Sequence, residues 1–244
     1  MSLKNKISKG YIYCRNRLLN ETIAKFAITL DDDAHFISQN PLESIEKYFN
    51  HNQECAILAL RVYWGILDPI DTNTNQIPFQ VQSFVGCAHV WRIEAWKTIP
   101  PYPEWFKFYG EENYAAMQLF KLNLEVHYFP EILVKHRVDV RLRKSNNDYV
   151  IRLRHSLKSG WFLFFLFLPY KNIPKQMLYS VWVQFKLKIF KGDLKALKAM
   201  VLALLDLIIA IPKILKTSKR FTLEEYKNYK KVTPAKIFWT PNNS

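Results

Sequence analysis

The chain has 244 residues, of which 49% are hydrophobic and 15% aromatic, so it can bury a sizeable core and general intrinsic disorder is excluded. Its formal net charge of +14 is uneven: residues 1–134 contain 12 basic and 15 acidic residues, whereas residues 135–244 contain 23 basic and 6 acidic residues. A basic, apolar C-terminal part indicates an anionic lipid surface as partner, and no nucleic-acid-binding module accompanies it, which argues against nucleic acid.

Two further features bear on location. Cys14, Cys55 and Cys87 are odd in number, widely spaced and free of any Cys-x-x-Cys pattern, which predicts reduced thiols rather than disulfides. The N-terminal lysines are not followed by an apolar run, so no secretory signal is predicted. We therefore expect a cytoplasmic protein.

The first part of the chain alternates helix-like and strand-like segments. Residues 8–25 carry a short apolar stripe at helical spacing, and residues 26–30 are a β-prone run. A helix is expected over residues 40–49, with Asn40 as its N-cap and a proline at its first position. The apolar run of residues 55–62 has the length of a strand buried on both faces. This alternation predicts an α/β layer architecture.

The following segments are more broken. Residues 63–81 are rich in turn-forming residues and predict a loop or small hairpin near a site. Residues 83–88 are expected to form a strand that enters a tight turn, and a short helix is expected over residues 91–99. The remaining predicted elements are a helix over residues 113–122, a short strand near residues 125–128 and an apolar run that ends at His136.

The strand at residues 26–30 ends in three adjacent carboxylates, Asp31, Asp32 and Asp33. Three neighbouring like charges are unfavourable unless water, a basic partner or a metal ion compensates them. The end of a strand is also where an open α/β sheet binds its ligands. The triplet is therefore either a solvated acidic turn or part of a binding site.

Other polar residues also have two interpretations. Glu111 and Glu112 follow an aromatic cluster and open a predicted helix, so they are either charges that favour the helix dipole or members of a site. His136 is either a structural histidine or a ligand. Arg15 and Asn16 are either helix-surface residues or site residues.

The C-terminal part, from about residue 145, is basic and apolar. Its apolar runs at residues 161–168 and 200–211 are too short to span a bilayer, so no transmembrane helix is predicted. Gly192-Asp193 is expected to open a helix that Pro212 bends. Thr222-Leu223-Glu224-Glu225 has the capping-box pattern and predicts a last short helix.

The helix that begins after residue 193 is amphipathic, with lysines beside an apolar stripe. Lys195 and Lys198 lie off that stripe. The apolar residues at helical spacing are Leu194, Leu197, Val201, Leu204, Leu205, Ile208 and Leu215. Such a helix fits interfacial binding to an anionic membrane, and packing of the same stripe on the domain is the alternative.

Five segments, taken in order, resemble the motifs of glycosyltransferase family two, whose members have the GT-A fold and use nucleotide-sugar donors. The segments are Ser8-x-Gly10-x-x-x-Cys14-Arg15-Asn16, Leu30-Asp31-Asp32-Asp33-Ala34, Phe84-Val85-Gly86-Cys87-Ala88, Phe108-Tyr109-Gly110-Glu111-Glu112 and Val134-Lys135-His136. In the first segment, Ser8 replaces the usual Asn of the family. The resemblance implies a GT-A-like (Rossmann-like) mixed sheet over residues 1–144. A helical, basic and membrane-associating region is expected over residues 145–244.

The resemblance also implies roles for the residues of these motifs. Asp33 is the expected primary ligand of Mg²⁺ or Mn²⁺, Asp31 is expected to contact the metal or the donor ribose, and His136 is expected to reach the metal or the diphosphate. The other expected roles are donor binding by Arg15, Asn16 and Asp32, acceptor binding by Gly86, Cys87 and Trp105, and general-base catalysis by Glu112 with Glu111 as the fallback.

In the family, the first strands and an acidic residue that binds the base precede the Arg-Asn segment by several tens of residues, whereas this chain begins almost at that segment. Three explanations stay open: an N-terminally truncated or split enzyme, with a partner chain as one source of the missing half; a start of the sequence that is assigned too late; or a remaining half that has lost catalysis. The expected function is inverting transfer of a sugar from a nucleotide-sugar donor to a saccharide or lipid-linked acceptor in cell-surface polysaccharide synthesis. The reaction is expected at the inner face of a bacterial cell membrane. The alternative is a catalytically inactive fragment that acts as a membrane-associated interaction protein.

Overall fold

The computed structural model describes residues 6–138 and 148–241, which fall into two compact units. The first unit comprises Met1–Tyr102, Ala115–Val140 and Tyr229–Ser244, and the second comprises Pro103–Tyr114 and Arg141–Asn228. Each unit is therefore assembled from stretches that are distant in sequence. The predicted domain boundary at residue 144 lies outside the described residues.

The first unit contains a six-stranded mixed sheet. Its strands are β1 (Phe26–Leu30), β2 (Ala34–Phe36), β3 (Cys55–Trp64), β4 (Phe79–Val81), β5 (Ala88–Arg92) and β6 (Glu125–His136). The strand order is β1-β5-β3-β6-β2, and β4 also pairs with β6. β3 and β6 are parallel and the other pairs are antiparallel, so β1, β3 and β6 all run in one direction. The predicted mixed α/β sheet is confirmed.

β3 supplies the centre of the core. Its residues from Cys55 to Val62 are all buried, as expected for a continuous apolar run covered on both faces. The core cluster also includes Phe49, Val90 and Phe129. All three cysteines are free in the structure, and Cys55 is one of the two that are buried.

β6 is one strand of 12 residues, where a short strand and a separate apolar run were expected. Leu60 of β3 pairs with Phe129, but Arg61 pairs with Leu133, so the residues between them form a bulge. Pro130 lies in that bulge, where the sheet does not require a backbone N–H from this residue. The strand therefore passes through the proline and continues to the end of the sheet.

The helices of the first 121 residues are α1 (Tyr11–Glu21), α2 (Pro41–His51), α3 (Ile93–Trp96) and α4 (Glu111–Lys121). Asn40 is the N-cap residue of α2 and Pro41 is its first residue, as predicted. Asn40 has a left-handed backbone (φ 50°), and its side chain makes no capping hydrogen bond. Asparagine is one of the few residues other than glycine that tolerate this conformation.

The segment around Gly86 differs from the prediction. Residues 83–88 are not a strand that enters a turn; the turn at Gly86 comes first and β5 follows it. Trp91, expected in a helix, belongs to β5 because it pairs with Ala27 of β1 on one side and Ile57 of β3 on the other. Ladder pairing on both sides keeps the residue extended and leaves only the short α3 after it.

The second unit is mainly helical. Its helices are α5 (Tyr149–Phe167), α6 (Ile173–Leu187), α7 (Leu194–Thr217) and most of α8 (Leu223–Tyr229), joined in part by single 3₁₀ turns. The predicted helix starts are confirmed: Asp193 accepts a hydrogen bond from the backbone N–H of Ala196 (2.9 Å), and Thr222 and Glu225 form a reciprocal capping box (2.7 and 3.1 Å). In the described ranges, no helix has the length and apolarity needed to cross a bilayer.

The last described residues return to the sheet of the first unit. The backbone N–H of Trp239 donates to the Val62 carbonyl (2.6 Å), and the Arg61 guanidinium lies 4.5 Å from the centre of the Trp239 ring. Gln82, just after β4, donates its backbone N–H to the Thr233 carbonyl (2.8 Å). The C-terminal segment thus covers the buried Arg61 and is part of the first unit's core.

Candidate functional site

Strand pairing brings Asp31, Asp33 and His136 together. β1, β3 and β6 are codirectional, so Leu30, Trp64 and His136 end their strands at one edge of the sheet. A tight turn follows β1, closed by the Ala34 N–H, which donates to the Asp31 carbonyl (3.0 Å). β2 then pairs antiparallel with β6, with Ala34 opposite His136. This register leaves the Asp31 and Asp33 carboxylates beside the imidazole, at the edge where open α/β sheets bind ligands.

Asp31, Asp33 and His136 form a compact group in which one ligand atom of each side chain lies within 4.8 Å of the others. The Nε2 atom of His136 is 2.9 Å from Oδ1 of Asp33. The imidazole is 8% exposed and the Asp33 side chain 44% exposed. The group therefore has a buried nitrogen donor at its base and carboxylate oxygens that remain accessible to a ligand.

The chemistry of this group fits a divalent cation. Two carboxylates and one imidazole suit Mn²⁺, and carboxylate oxygens suit Mg²⁺. The Nδ1 atom of His136 is buried and has no hydrogen-bond partner within residues 6–138 and 148–241. The indole of Trp64 packs edge-on against the imidazole, with ring centres 6.1 Å apart. Asp33 is therefore the polar group with which the imidazole is engaged, and a shared cation would satisfy both.

A second group of potential ligands, Glu54, Glu125 and His127, lies at the opposite ends of β3 and β6. Both ring nitrogens of His127 are already engaged there. Nε2 is 2.6 Å from the Glu125 carboxylate and Nδ1 is 2.8 Å from the Tyr48 hydroxyl. Glu54 is exposed. This saturated arrangement explains the buried imidazole without a metal, so the group at Asp33 is the better candidate.

Arg15 connects α1 to the acidic turn. Its Nη2 atom donates both to Oδ1 of Asp31 (2.8 Å) and to the carbonyl of Gly86 (2.9 Å). The neighbouring Cys87 carbonyl accepts from the backbone N–H of Asp31 (3.1 Å). One guanidinium therefore fixes the acidic turn and the turn before β5 against each other, and adds positive charge beside the carboxylates.

Cys87 lies in this region as a buried thiol. Burial raises its pKa to about 12, and the Asp31 carboxylate also contributes to the shift. The side chain therefore stays protonated at neutral pH and offers no thiolate for catalysis or metal binding. The contact that the structure shows between Cys87 and the acidic turn is made by its backbone carbonyl. Acceptor binding by Gly86 and Cys87 stays a prediction.

Asn16 has a structural role that the sequence did not indicate. Its amide is buried, donates to the Tyr102 carbonyl (2.9 Å) and accepts from the Tyr102 N–H (2.9 Å). These two bonds tie α1 to the segment after α3. Asp32 is exposed, and only its backbone carbonyl faces Arg137, with Nη2 at 3.4 Å. Donor binding by Asn16 and Asp32 stays a prediction.

Two neighbours of the Asp31, Asp33 and His136 group, Trp64 and Arg137, were not predicted from the sequence. Trp64 continues the apolar run of β3 by two residues, and its register partner in β6 is His136. Arg137 donates its backbone N–H to the Asp33 carbonyl (3.0 Å). The apolar run itself was a signal for Trp64, because the end of a buried strand lies at the ligand edge of the sheet.

Glu111, Glu112 and Trp105 belong to the second unit, where a strained turn precedes α4. Lys107, Tyr109 and Gly110 all have positive φ values of 66°, 66° and 86°. The two glutamates occupy the first turn of α4; Glu111 is buried and Glu112 is half-buried. Residues with strained backbone conformations cluster at functional sites, which makes this turn a candidate.

Packing against α5 fixes this turn within the second unit. Phe106 contacts Phe162 (ring centres 5.5 Å apart), as does Trp105 (4.9 Å). The Ser159 hydroxyl donates to the Phe108 carbonyl (3.1 Å). The segment just before α4 and its carboxylates is therefore packed against α5.

Comparison with known proteins gives a fold. No family model matches the chain, and no curated protein matches it. Among solved structures, GalNAc-T7 aligns with a TM-score of 0.52 and 11% identity over 68% of this chain and 36% of its own. Residues 1–349 of S. aureus TarS align with a TM-score of 0.51 and 14% identity over 88% of this chain and 65% of the TarS chain. The chain thus has a GT-A-like α/β fold and spans less than two thirds of either structure.

Proposed function

We propose that the chain is a metal-dependent glycosyltransferase, or the catalytic part of one, that uses a nucleotide-sugar donor. The observation that carries the proposal is the group of Asp31, Asp33 and His136 at the ligand edge of the sheet. The fold adds support, because the GalNAc-T7 structure with the same fold is described with UDP, GalNAc and Mn²⁺. We further propose the inverting mechanism and membership of glycosyltransferase family two, on the order of the five motifs.

In this proposal, the residues of the first unit hold the diphosphate end of the donor. Asp33, Asp31 and His136 would bind Mg²⁺ or Mn²⁺, which supplies positive charge against the phosphates of the leaving nucleoside diphosphate. Arg15 keeps the Asp31 carboxylate oriented through its 2.8 Å contact and adds a second positive charge. Asp32 and Asn16 complete the proposed donor contacts.

The proposed chemical step uses a glutamate carboxylate as general base. Glu112 takes the proton of an acceptor hydroxyl while that oxygen attacks the anomeric carbon and the bond to the diphosphate breaks. Glu111 is the fallback base. Gly86, Cys87 and Trp105 are the proposed acceptor contacts, and the acceptor is a saccharide or a lipid-linked saccharide of a cell-surface polymer. A partner chain is a further proposed contributor to the donor pocket.

The donor site is tested by calorimetry with Mn²⁺ and UDP or GDP on the purified chain. Asp33→Asn should weaken Mn²⁺-dependent nucleotide binding by at least tenfold, because it removes one anionic ligand from the group. Glu46→Gln is the matched control, since it removes one negative charge from the exposed face of α2 and should bind like wild type. Equal binding by Asp33→Asn and wild type would refute the metal site.

The chemical step is tested by a screen of nucleotide sugars for Mn²⁺-dependent donor hydrolysis and transfer. Glu112→Gln should retain nucleotide binding and lose transfer by 10²-fold or more, which is the usual contribution of a general base. Glu104→Gln, an exposed change in the same unit, serves as the control. Full transfer activity in Glu112→Gln would exclude the base, and transfer without any divalent ion would contradict the proposed metal dependence.

A further inference from the structure

The outward face of α7 is more apolar than the face with which it packs. The residues that α7 buries are three alanines and three larger apolar residues: Ala196, Ala199, Met200, Ala203, Leu207 and Ile214. Large aliphatic residues point the other way and are about half-exposed or more: Leu194, Val201, Leu204, Leu205, Ile208, Ile209 and Leu215. Ile209 is 79% exposed and Leu194 is 72% exposed. The predicted apolar stripe is therefore largely on the surface, and the alternative that it packs on the domain is not what the structure has.

The one acidic residue of α7 lies on the inward side. Asp206 accepts two hydrogen bonds from the Arg154 guanidinium of α5 (2.6 and 2.7 Å), and Lys158 lies 3.8 Å from it. These contacts lower the pKa of Asp206, chiefly through the hydrogen bonds from Arg154. The arrangement neutralises the carboxylate and leaves the outward face of α7 without any negative charge.

Lysines lie at both ends of this apolar face. Lys195 and Lys198 are exposed in its first turns, and Lys216 is exposed in its last turn. None of the three forms an ion pair with a described residue. Residues 148–228 contain 15 basic and 5 acidic residues, so the charge around the face is strongly positive.

α6 repeats the pattern with aromatic residues. Leu178, Tyr179 and Trp182 are exposed, as is Phe190 in the 3₁₀ turn that follows. Lys175 and Lys186 are exposed on the same helix. Tryptophan and tyrosine beside lysine form the composition typical of the boundary between water and lipid.

We infer that the outward face of α7, together with the exposed aromatic side of α6, docks on an anionic lipid membrane. Half-exposed aliphatic side chains would enter the acyl boundary, and the lysines at the helix ends would meet anionic headgroups. A protein partner fits less well, because lysine is depleted in protein interfaces. Two copies of the chain would also oppose faces of like charge. The inference does not depend on sugar transfer.

Vesicle flotation tests the inference with the full chain and large unilamellar vesicles. Wild type should bind vesicles of phosphatidylcholine with 30% phosphatidylglycerol and bind pure phosphatidylcholine much more weakly. The triple variant K195Q/K198Q/K216Q should lose about 100-fold in partitioning, since each lysine near an anionic surface contributes about fivefold. K25Q/K47Q/K97Q removes the same charge from exposed sites in the first unit and should partition several-fold more strongly than that variant.

The apolar part of the inference has its own pair of variants. Leu205→Ser with Ile209→Ser should weaken partitioning by about tenfold, because two aliphatic side chains no longer enter the membrane. Ile23→Ser with Ile70→Ser is the matched control, since both isoleucines are fully exposed in the first unit. A Trp182→Phe variant should reduce the blue shift of tryptophan emission that binding produces.

Three outcomes would overturn the inference. The first is failure of wild type to float with anionic vesicles, and the second is flotation of both sets of variants to the same extent as wild type. Concentration-dependent self-association in sedimentation that Leu205→Ser/Ile209→Ser abolishes, with no vesicle binding by wild type, would assign the face to a second copy of the chain. Asp33→Asn should float like wild type, so failure of the donor site and failure of this inference are distinguishable.

Discussion

His136 and His89 are both buried histidines of the same sheet, but their surroundings give them different chemistry. His136 has a carboxylate at 2.9 Å and lies at the ligand edge. His89, in β5, is fully buried against the Phe84 ring (centres 4.5 Å apart). Burial lowers the pKa of His89 to about 3, and the charge of Arg15 adds to the shift. His89 is therefore a neutral core residue at physiological pH, despite its place near the candidate site.

This residue predicts a specific loss of stability in acid. Below pH 6.5 the unfolded chain binds a proton at His89 that the folded chain refuses until about pH 3, so unfolding becomes easier as pH falls through that window. His89→Gln removes this dependence. The free energy of unfolding of the variant relative to wild type should rise by about 1.4 kcal/mol for each pH unit from 6 to 4.

Urea denaturation at several pH values measures that difference directly. His51→Gln, at an exposed position of α2, is the matched control and should not reproduce the slope. A difference between His89→Gln and wild type that stays constant from pH 6 to 4 would contradict the assigned burial of a neutral imidazole.

At the scale of elements, the turn before α4 depends on one glycine. Gly110 has φ of 86°, and a Cβ atom there would lie 3.0 Å from the Cβ atom of Ser159 and 3.3 Å from the Phe106 ring. Both the backbone conformation and the packing therefore exclude a larger residue. The turn sets where Glu111 and Glu112 begin the helix, so a change in the conformation of the turn would move the proposed base.

Gly110→Ala should destabilise the protein by about 1–3 kcal/mol, the cost of a residue forced into a strained backbone region. Gly160→Ala makes the same chemical change in the middle of α5, where a Cβ atom would meet nothing within 4 Å. It should stabilise by about 0.5–1 kcal/mol, because alanine favours a helix over glycine. Thermal denaturation of the pair gives opposite signs, and the same sign in both would contradict this account of the turn.

Local rules in the sequence predicted some of these elements and missed others. Strand β1, the capping box at Thr222 and the helix start at Asp193 depend on neighbouring residues, so they could be predicted. The bulge at Pro130 and the extended conformation of Trp91 depend on partner strands distant in sequence, which no local pattern encodes. The contact between Asp33 and His136 likewise requires the register of β2 on β6.

The same limit applies to α7. Its large aliphatic residues and its alanines both recur at helical spacing, so periodicity alone could not decide which stripe is buried. The bidentate pair between Arg154 and Asp206 fixes the alanine side toward α5. The site roles of Arg15, Asp31, Glu112 and the acceptor residues remain predictions, because binding a ligand is not a property of the backbone pattern.

At the scale of the whole molecule, the first unit is assembled from three separate stretches and needs the last of them to complete its core. Trp239 is 3% exposed, pairs with β3 through its backbone and covers the Arg61 guanidinium. Burial lowers the pKa of Arg61, which has the carbonyls of Thr72 and Asn73 as hydrogen-bond acceptors. The segment around Trp239 is therefore a structural part of the unit that holds the candidate metal site.

Trp239→Ala should destabilise the first unit by about 3–5 kcal/mol, since it leaves a cavity and removes the ring that covers a buried cation. Amide hydrogen exchange should show faster exchange in β3 and β4, with α5 and α7 of the second unit changed little. Ile237→Ala, two residues earlier and half-exposed, controls for the loss of an apolar side chain in the same segment and should have a small effect. Uniform acceleration of exchange across both units, or no acceleration in β3, would show that the segment does not complete the first unit. Faster exchange confined to β3 and β4 would also predict weaker Mn²⁺ binding by the variant, because Trp64 and His136 are register partners at the ends of β3 and β6.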